Sequence, residues 1–414
     1  MAIIKPFKAL KPKKELAEQV ASRPYDVLNS EEAKKEAAGN NYSFLRITKS
    51  EIDLPDGIDT HSQQVYEKAK SNLEFFIQNG TLFKEEKPCY YIYQLVMPAH
   101  AGSDGNSKTQ TGLVCVSSVE DYFNDVIKKH ELTRPEKEKD RIDHMRTIRA
   151  QTGNVFMAYR DVMEINALIN GWKAKNTAEY DFTANDGIKH TVWVINRDDV
   201  INSITNLFAT KVPNTYIADG HHRAASAAKI SKQLPDSKEA KFFLTTIFPE
   251  SQLAILDYNR VVKDLNDLTT EEFIGALQDD FMLTYSPEPV KPAVLHEFGM
   301  YLGDEWYILT AREGTYRKDP IGVLDVTILQ KNVLDKILDI DDPRTDTRVD
   351  FVGGIRGLEE LEKRVNSGEM AAAFSLYPVT LQQLFAIADS GKVMPPKSTW
   401  FEPKLRDGLL THLI

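Results

Sequence analysis

Cysteine is almost missing from this chain. Cys89 and Cys115 are its only two, too few for a disulfide framework or a thiolate zinc site. No stretch approaches the roughly 20 apolar residues that a membrane helix needs. The opening segment, MAIIKPFKALKPKKE, has no apolar core of signal-peptide length. Positive charge is not in excess either: 51 Lys and Arg face 61 Asp and Glu, a net charge of −10. Phosphate neutralisation supplies most nucleic-acid affinity, so a nucleic-acid partner is disfavoured. Internal repeats, low-complexity tracts and Walker-type, His-Glu-x-x-His and Gly-x-Ser-x-Gly motifs are absent. The expectation is a cytoplasmic protein, off the membrane, that acts on small molecules. Its oligomeric state is left open.

What is present is ordinary globular material. Hydrophobic residues make up 42% and charged residues 27%, and 414 residues are too many for one ordinary core. Strand-like and helix-like patterns alternate throughout, which predicts an α/β fold, with α+β as the variant. Three sections are expected: 1–153, an α/β section; 154–264, which carries the chemistry; and 265–414, a second α/β section with a proline-rich tail.

Local signals fill these sections in. Asn29 and Ser30 offer caps for a helix through Ala38, and YSFLRI (42–47) reads as a strand. Val65, Tyr66, Ala69, Leu73, Phe76 and Ile77 fall at helical spacing. CYYIYQLVM (89–97) and HTVWVI (190–195) read as strands, and 102–107 as a loop. A helix is predicted over 118–131, and His130 continues its apolar stripe as a satisfied, partly buried side chain. Further helices are predicted near 142–150, 198–208, 270–279, 323–338, 357–365 and 381–388, and the end, 394–410, as chain extended across the surface.

The segment TYIADGHHRAASAAKI stands apart. A short apolar strand ends at Asp219, and Gly220 permits a tight turn and close backbone approach. An alanine-rich helix follows. A helix N-terminus offers unpaired N–H groups and the positive end of the dipole, which together suit an anion. His221, His222 and Arg223 add side-chain donors there, and Ser226 offers one more hydroxyl. Arginine can grip two phosphate oxygens at once. Asp219 could hold Mg²⁺, orient a histidine or act as a base. Two adjacent histidines and an arginine at a helix entrance favour an anion site over a merely capped helix.

ADGHHRAASA resembles the phosphate-binding motif of the ParB/sulfiredoxin superfamily, and within it the DGHHR motif of the free-serine kinases. The chain also resembles, over most of its length, a bacterial and archaeal family classed as a domain of unknown function. That match runs through RPYDVLNSEE (23–32), KKHELT (128–133), DR (140–141), HTVW (190–193), NRVV (259–262), LDV (324–326) and MPPKSTWFEPK (394–404).

The resemblance implies a ParB/sulfiredoxin-like core, phosphate handling by Asp219, Gly220, His221, His222 and Arg223, and ATP or ADP with Mg²⁺ as cofactor. It implies phosphotransfer to a small hydroxylated metabolite, with free L-serine as the leading acceptor. Sulfiredoxin's reactive cysteine is missing from the turn, where His221 and His222 stand instead. The serine kinases use an upstream glutamate as base, for which Glu179 and Asp181 are the nearest candidates.

Glu131, beside His130, is a further candidate catalytic carboxylate, and Arg141 a further nucleotide ligand. Lys397 and Ser398 combine a cation and a hydroxyl as a second set of phosphate ligands. No metal-ligand set is legible. Two other readings stay open: a nucleotide-sensing regulator without turnover, and a CTP-dependent, ParB-like nucleic-acid protein, which the acidic composition disfavours.

Overall fold

The computed structural model describes residues 1–99, 107–253 and 255–414. The expected loop at 102–107 therefore lies, apart from Ser107, outside the described residues. The chain divides into two compact units, one of Met1–Leu253 with Pro403–Ile414 and the other of Ala254–Glu402.

The first unit is built on nine strands: β1 (Ile4–Lys5), β2 (Tyr90–Met97), β3 (Lys108–Ser118), β4 (Ile127–Lys128), β5 (Val155–Tyr159), β6 (Tyr180–Thr183), β7 (Lys189–Ile195), β8 (Thr215–Asp219) and β9 (Phe242–Pro249). They form one sheet in the order β4-β8-β5-β9-β3-β2-β7-β6, with β1 beside β3. The pairs β4–β8 and β5–β9 are parallel and β8–β5 is antiparallel, so the sheet is mixed. Tyr90 to Tyr93 are buried in succession, as is all of β5. Such unbroken apolar runs belong to strands covered on both faces.

The cover comes from α1 (Gln63–Gln78), α2 (Pro135–Ile148), α3 (Met163–Lys175), α4 (Asp198–Lys211) and α5 (His221–Gln233). Ile165, Ile169 and Trp172 of α3 and Ile201, Ile204 and Phe208 of α4 join the main core. Ala224, Ala227 and Ala228 of α5 join the same core, and their small side chains let that helix approach the sheet closely.

The second unit is a six-stranded antiparallel sheet: β10 (Tyr258–Val262), β11 (Phe281–Ser286), β12 (Glu297–Leu302), β13 (Glu305–Ala311), β14 (Val349–Gly353) and β15 (Ala372–Leu376). Its order is β11-β13-β12-β15-β10-β14, and Val261, Tyr301, Trp306 and Leu361 fill its core. Helices Thr270–Leu277 and Leu381–Asp389 each open on a capping box, from Thr269 with Glu272 and from Thr380 with Gln383. The mixed α/β class expected from the sequence is what is found. No helix among the described residues is long and apolar enough to cross a membrane.

Four local expectations are corrected. YSFLRI does not form a strand: Leu45–Thr48 is a helical turn, and Phe44 at its start and Ile47 within it pack with Leu73 and Phe76 of α1. A short apolar run has no decisive period, and tertiary packing settles it. The helix begun at Ser118 ends at Phe123, Asp125 is left-handed at φ 58°, and the chain leaves as β4 to pair with β8. His130 is consequently on a loop, fully buried, and neither ring nitrogen has a hydrogen-bond partner among the described residues. The C-terminal tail does not lie across the surface, since Phe401, Leu405, Leu409 and Leu410 are all buried.

Five histidines of the first unit, His130, His144, His190, His221 and His412, are buried. Burial lowers their pKa to about 3, 4, 3, 3 and 4 respectively. An unfolded histidine takes its proton near pH 6.5, so below that pH the unfolded chain binds more protons and gains. Their stabilising effect is complete above about pH 6.5 and declines as pH falls toward 4. Urea titrations between pH 7 and 5 should show stability falling by at least about 1.4 kcal/mol per pH unit. A flat profile would contradict the neutral, buried assignment.

Candidate functional site

The site begins where β8 ends. Its pairing with β5 slips between Ile217 and Asp219, and such a bulge re-aims the residue that follows it. Gly220 then adopts φ +97°, a left-handed conformation that costs a residue with a Cβ about 1–2 kcal/mol. As the N-cap of α5 it has no side chain to offer, so the first-turn N–H groups carry no side-chain cap.

Arg223 lies inward along this turn. A Cβ on Gly153 would stand 3.2 Å from its Cδ, and one on Gly220 would stand 3.1 Å from its Nε. The two glycines thus clear its path. Its Nη1 donates to the Asn154 carbonyl, while Nη2 lies 3.3 Å from Asp26 Oδ2 and 3.6 Å from Asp219 Oδ2. Lys404 Nζ donates to Asp219 Oδ2 at 3.0 Å.

The charges shape one another. Burial works to raise the pKa of Asp219, but Lys404 and Arg223 outweigh it and hold the carboxyl well below the usual range. For Arg223 burial works downward, and Asp26 and Asp219 prevail and raise it. Asp407, buried in the same group, is pushed up to about 8 by burial, against the pull of Arg223. Tyr25 is pushed up to about 12, again mainly by burial.

The two histidines of the motif face the loop that follows β4. His221 Nε2 accepts from the His130 backbone N–H at 3.4 Å, and its Nδ1 lies 3.4 Å from Glu131 Oε2. His222 Nε2 accepts from the Arg134 N–H at 3.0 Å. Both rings therefore present Nε2 as an acceptor and carry any single proton on Nδ1. Ser226 is fully buried, and its hydroxyl donates to the Glu138 carbonyl at 3.2 Å.

Arg141, on α2, donates to Asp140 Oδ2 from Nε at 2.8 Å and from Nη2 at 2.5 Å, with its guanidinium 3.9 Å from the Tyr25 ring centroid. Arg141, Arg223 and Tyr25 line one small cavity of about 30 Å³. Arg141 and Tyr25 also border a cleft of about 570 Å³, with His222, Lys49, Lys137 and Tyr66 on its walls. Carboxylates of Asp26, Glu51 and Asp140 are in the same lining, so the cleft carries both signs.

Glu179 and Asp181 are held in other parts of the first unit. Glu179 Oε1 is 2.8 Å from Lys11 Nζ, which also meets Glu85 at 2.9 Å. Asp181 pairs with Lys189 at 3.0 Å on neighbouring strands of the sheet. Lys397 and Ser398 belong to the second unit. There Ser398 donates to the Pro395 carbonyl at 2.6 Å, and Lys397 Nζ lies 5.6 Å from the Tyr258 ring centroid.

Four site residues escaped the sequence reading: Tyr25, Asp26, Lys404 and Asp407. Tyr25, Asp26 and Lys404 sit inside the stretches RPYDVLNSEE and MPPKSTWFEPK, already singled out for resemblance. No local pattern marks them as ligands.

This is a mixed α/β protein of two compact units, with an uncapped strand–turn–helix site in the first. It belongs to the family described as protein of unknown function DUF1015, which matches residues 4–327. No curated protein matches the chain. Among solved structures it is similar to a free serine kinase point mutant in complex with AMP, at 12% identity, covering 76% of this chain and 94% of that one, with a TM-score of 0.36. It is similar too to a conserved hypothetical protein from Pyrococcus furiosus, at 14% identity, 72% and 94% coverage and a TM-score of 0.33. A C-terminally truncated SbnI from Staphylococcus aureus gives 12% identity, 72% and 87% coverage and a TM-score of 0.33.

Gly220→Ala should cost about 1–2 kcal/mol for its left-handed backbone alone, before any displacement of Arg223. Urea unfolding of the two proteins measures it, and unchanged stability would show that the turn does not hold this conformation.

Proposed function

We propose that the first unit binds a nucleotide by its phosphates at the Asp219–Arg223 turn and transfers a phosphoryl group to a small hydroxylated metabolite. The observation that carries this reading is the uncapped N-terminus of α5 behind a left-handed glycine, ringed by Arg223, Lys404 and His222 near a cleft of nucleotide size. The sequence resemblance of DGHHR to the free-serine kinases and the wider ParB/sulfiredoxin superfamily supports it. Free L-serine is accordingly the first acceptor to try.

In this reading the N–H groups of Gly220, His221 and His222 and the Arg223 charge cradle phosphate oxygens, and Arg141 reaches the nucleotide from α2. The lining carries carboxylates as well as cations, so ATP or ADP enters as its Mg²⁺ complex. Asp219 is strongly ionised between Lys404 and Arg223, which suits holding a cation better than accepting a proton. Asp26, about a third exposed and 3.3 Å from Arg223, is the carboxylate best placed to receive the acceptor's hydroxyl proton. A sensor without turnover is the second reading, favoured by the commitment of Asp219 and Arg223 to each other.

Isothermal titration with Mg²⁺ complexes of ATP, ADP, CTP and GTP tests the binding, and O-phosphoserine formation tests the transfer. Loss of one charged hydrogen bond costs about 1.5–3 kcal/mol, so Arg141→Ala should weaken nucleotide binding by about 10- to 100-fold; it also leaves Asp140 without its arginine partner and lowers the melting midpoint, so binding is measured well below that midpoint. Binding without turnover would select the sensor. No binding of any of the four would overturn the assignment.

A further inference from the structure

A second cluster stands beside the turn, on the loop after β4. The ligand-capable atoms of His130, Glu131 and His221 all lie within 4.8 Å of one another. The His130 and His221 rings meet edge to face, with centroids 4.5 Å apart and planes at 84°. His221 Nδ1 faces Glu131 Oε2 at 3.4 Å. His130 has no exposed surface, and neither of its ring nitrogens has a hydrogen-bond partner among the described residues. Buried polar atoms are nearly always satisfied, and an orphaned imidazole is an uncompensated desolvation cost.

We propose that His130, Glu131 and His221 bind a divalent transition-metal ion of the zinc or cobalt type. Two imidazoles and one carboxylate are a borderline donor set, which selects such ions over Mg²⁺ or Ca²⁺, whose ligands are oxygens. Three protein ligands leave a position open to water or to a substrate oxygen. Glu131 is 40% exposed while both imidazoles are buried, so the ion enters from the carboxylate side. In such a site His130 gains the partner it lacks. Ligation through His221 Nδ1 moves the ring proton to Nε2 and gives up the bond from the His130 N–H, so binding is coupled to a small shift of the loop after β4.

This inference does not depend on the nucleotide reading. A protein that bound metal and no nucleotide would uphold the one and remove the other.

The test uses the full chain, stripped with a chelator and titrated with Co²⁺ alone, followed by the visible bands of the bound ion, and with Zn²⁺ in competition with a chromophoric chelator. One equivalent should bind. Glu131→Gln, a substitution at a partly exposed site, and His130→Gln should each weaken the affinity about 10-fold or more. Circular dichroism and the melting midpoint monitor folding; should His130→Gln fail to fold, Glu131→Gln decides alone. Absence of saturable binding to the stripped protein, or unchanged affinity in Glu131→Gln, would overturn the site.

Discussion

The Arg223 guanidinium has been taken almost entirely out of water, and a buried cation persists only where negative charge and hydrogen-bond acceptors surround it. Its acceptors arrive from well-separated parts of the chain: Asp26, the Asn154 carbonyl and Asp219. Lys404, 185 residues beyond Asp219, then balances the carboxylates. Removing any one member leaves a charge uncompensated in a half-buried place. The first 26 residues, the sheet and the C-terminal segment Pro403–Ile414 are thereby tied to one point of the first unit. The pairing of His412–Leu413 with Ala150–Gln151 completes that return of the chain.

The same constraint sets the chemistry of the turn. Gly153 and Gly220 give up side chains so that Arg223 can pass, and Gly220 leaves α5 without a cap. The first turn of that helix thus carries no side-chain cap. His221 and His222 turn to the backbone of the 130–134 loop. The motif thus divides its labour. Asp219 and Arg223 hold distant parts of the unit together electrostatically, the histidines dock on a loop, and the backbone between them carries no side-chain cap.

Much of this was legible in sequence where a pattern is local. Helix α1 shows its apolar stripe at 65, 66, 69, 73 and 76, and those residues are buried, while Ile77, expected in the same stripe, is exposed. The strand–turn–helix at 215–233 follows from an apolar run, one glycine and a row of alanines. Where the outcome depends on distant partners, the sequence is silent or misleads. Phe44 and Ile47 sit in a run that suits a strand, yet packing with α1 makes it helical. His130 fits the stripe of a helix that stops seven residues before it. Lys404 and Asp407 read as charges in a loose tail and prove to be partners of residues near position 220.

The central claim is that the uncapped backbone at Gly220–His222 receives phosphate. A crystal structure of the full chain grown with Mg²⁺ and ADP tests it most directly. The account predicts phosphate density against the first-turn N–H groups of α5, with the nucleoside in the cleft bordered by Tyr25 and Arg141. Nucleotide bound elsewhere with this turn unchanged would contradict it.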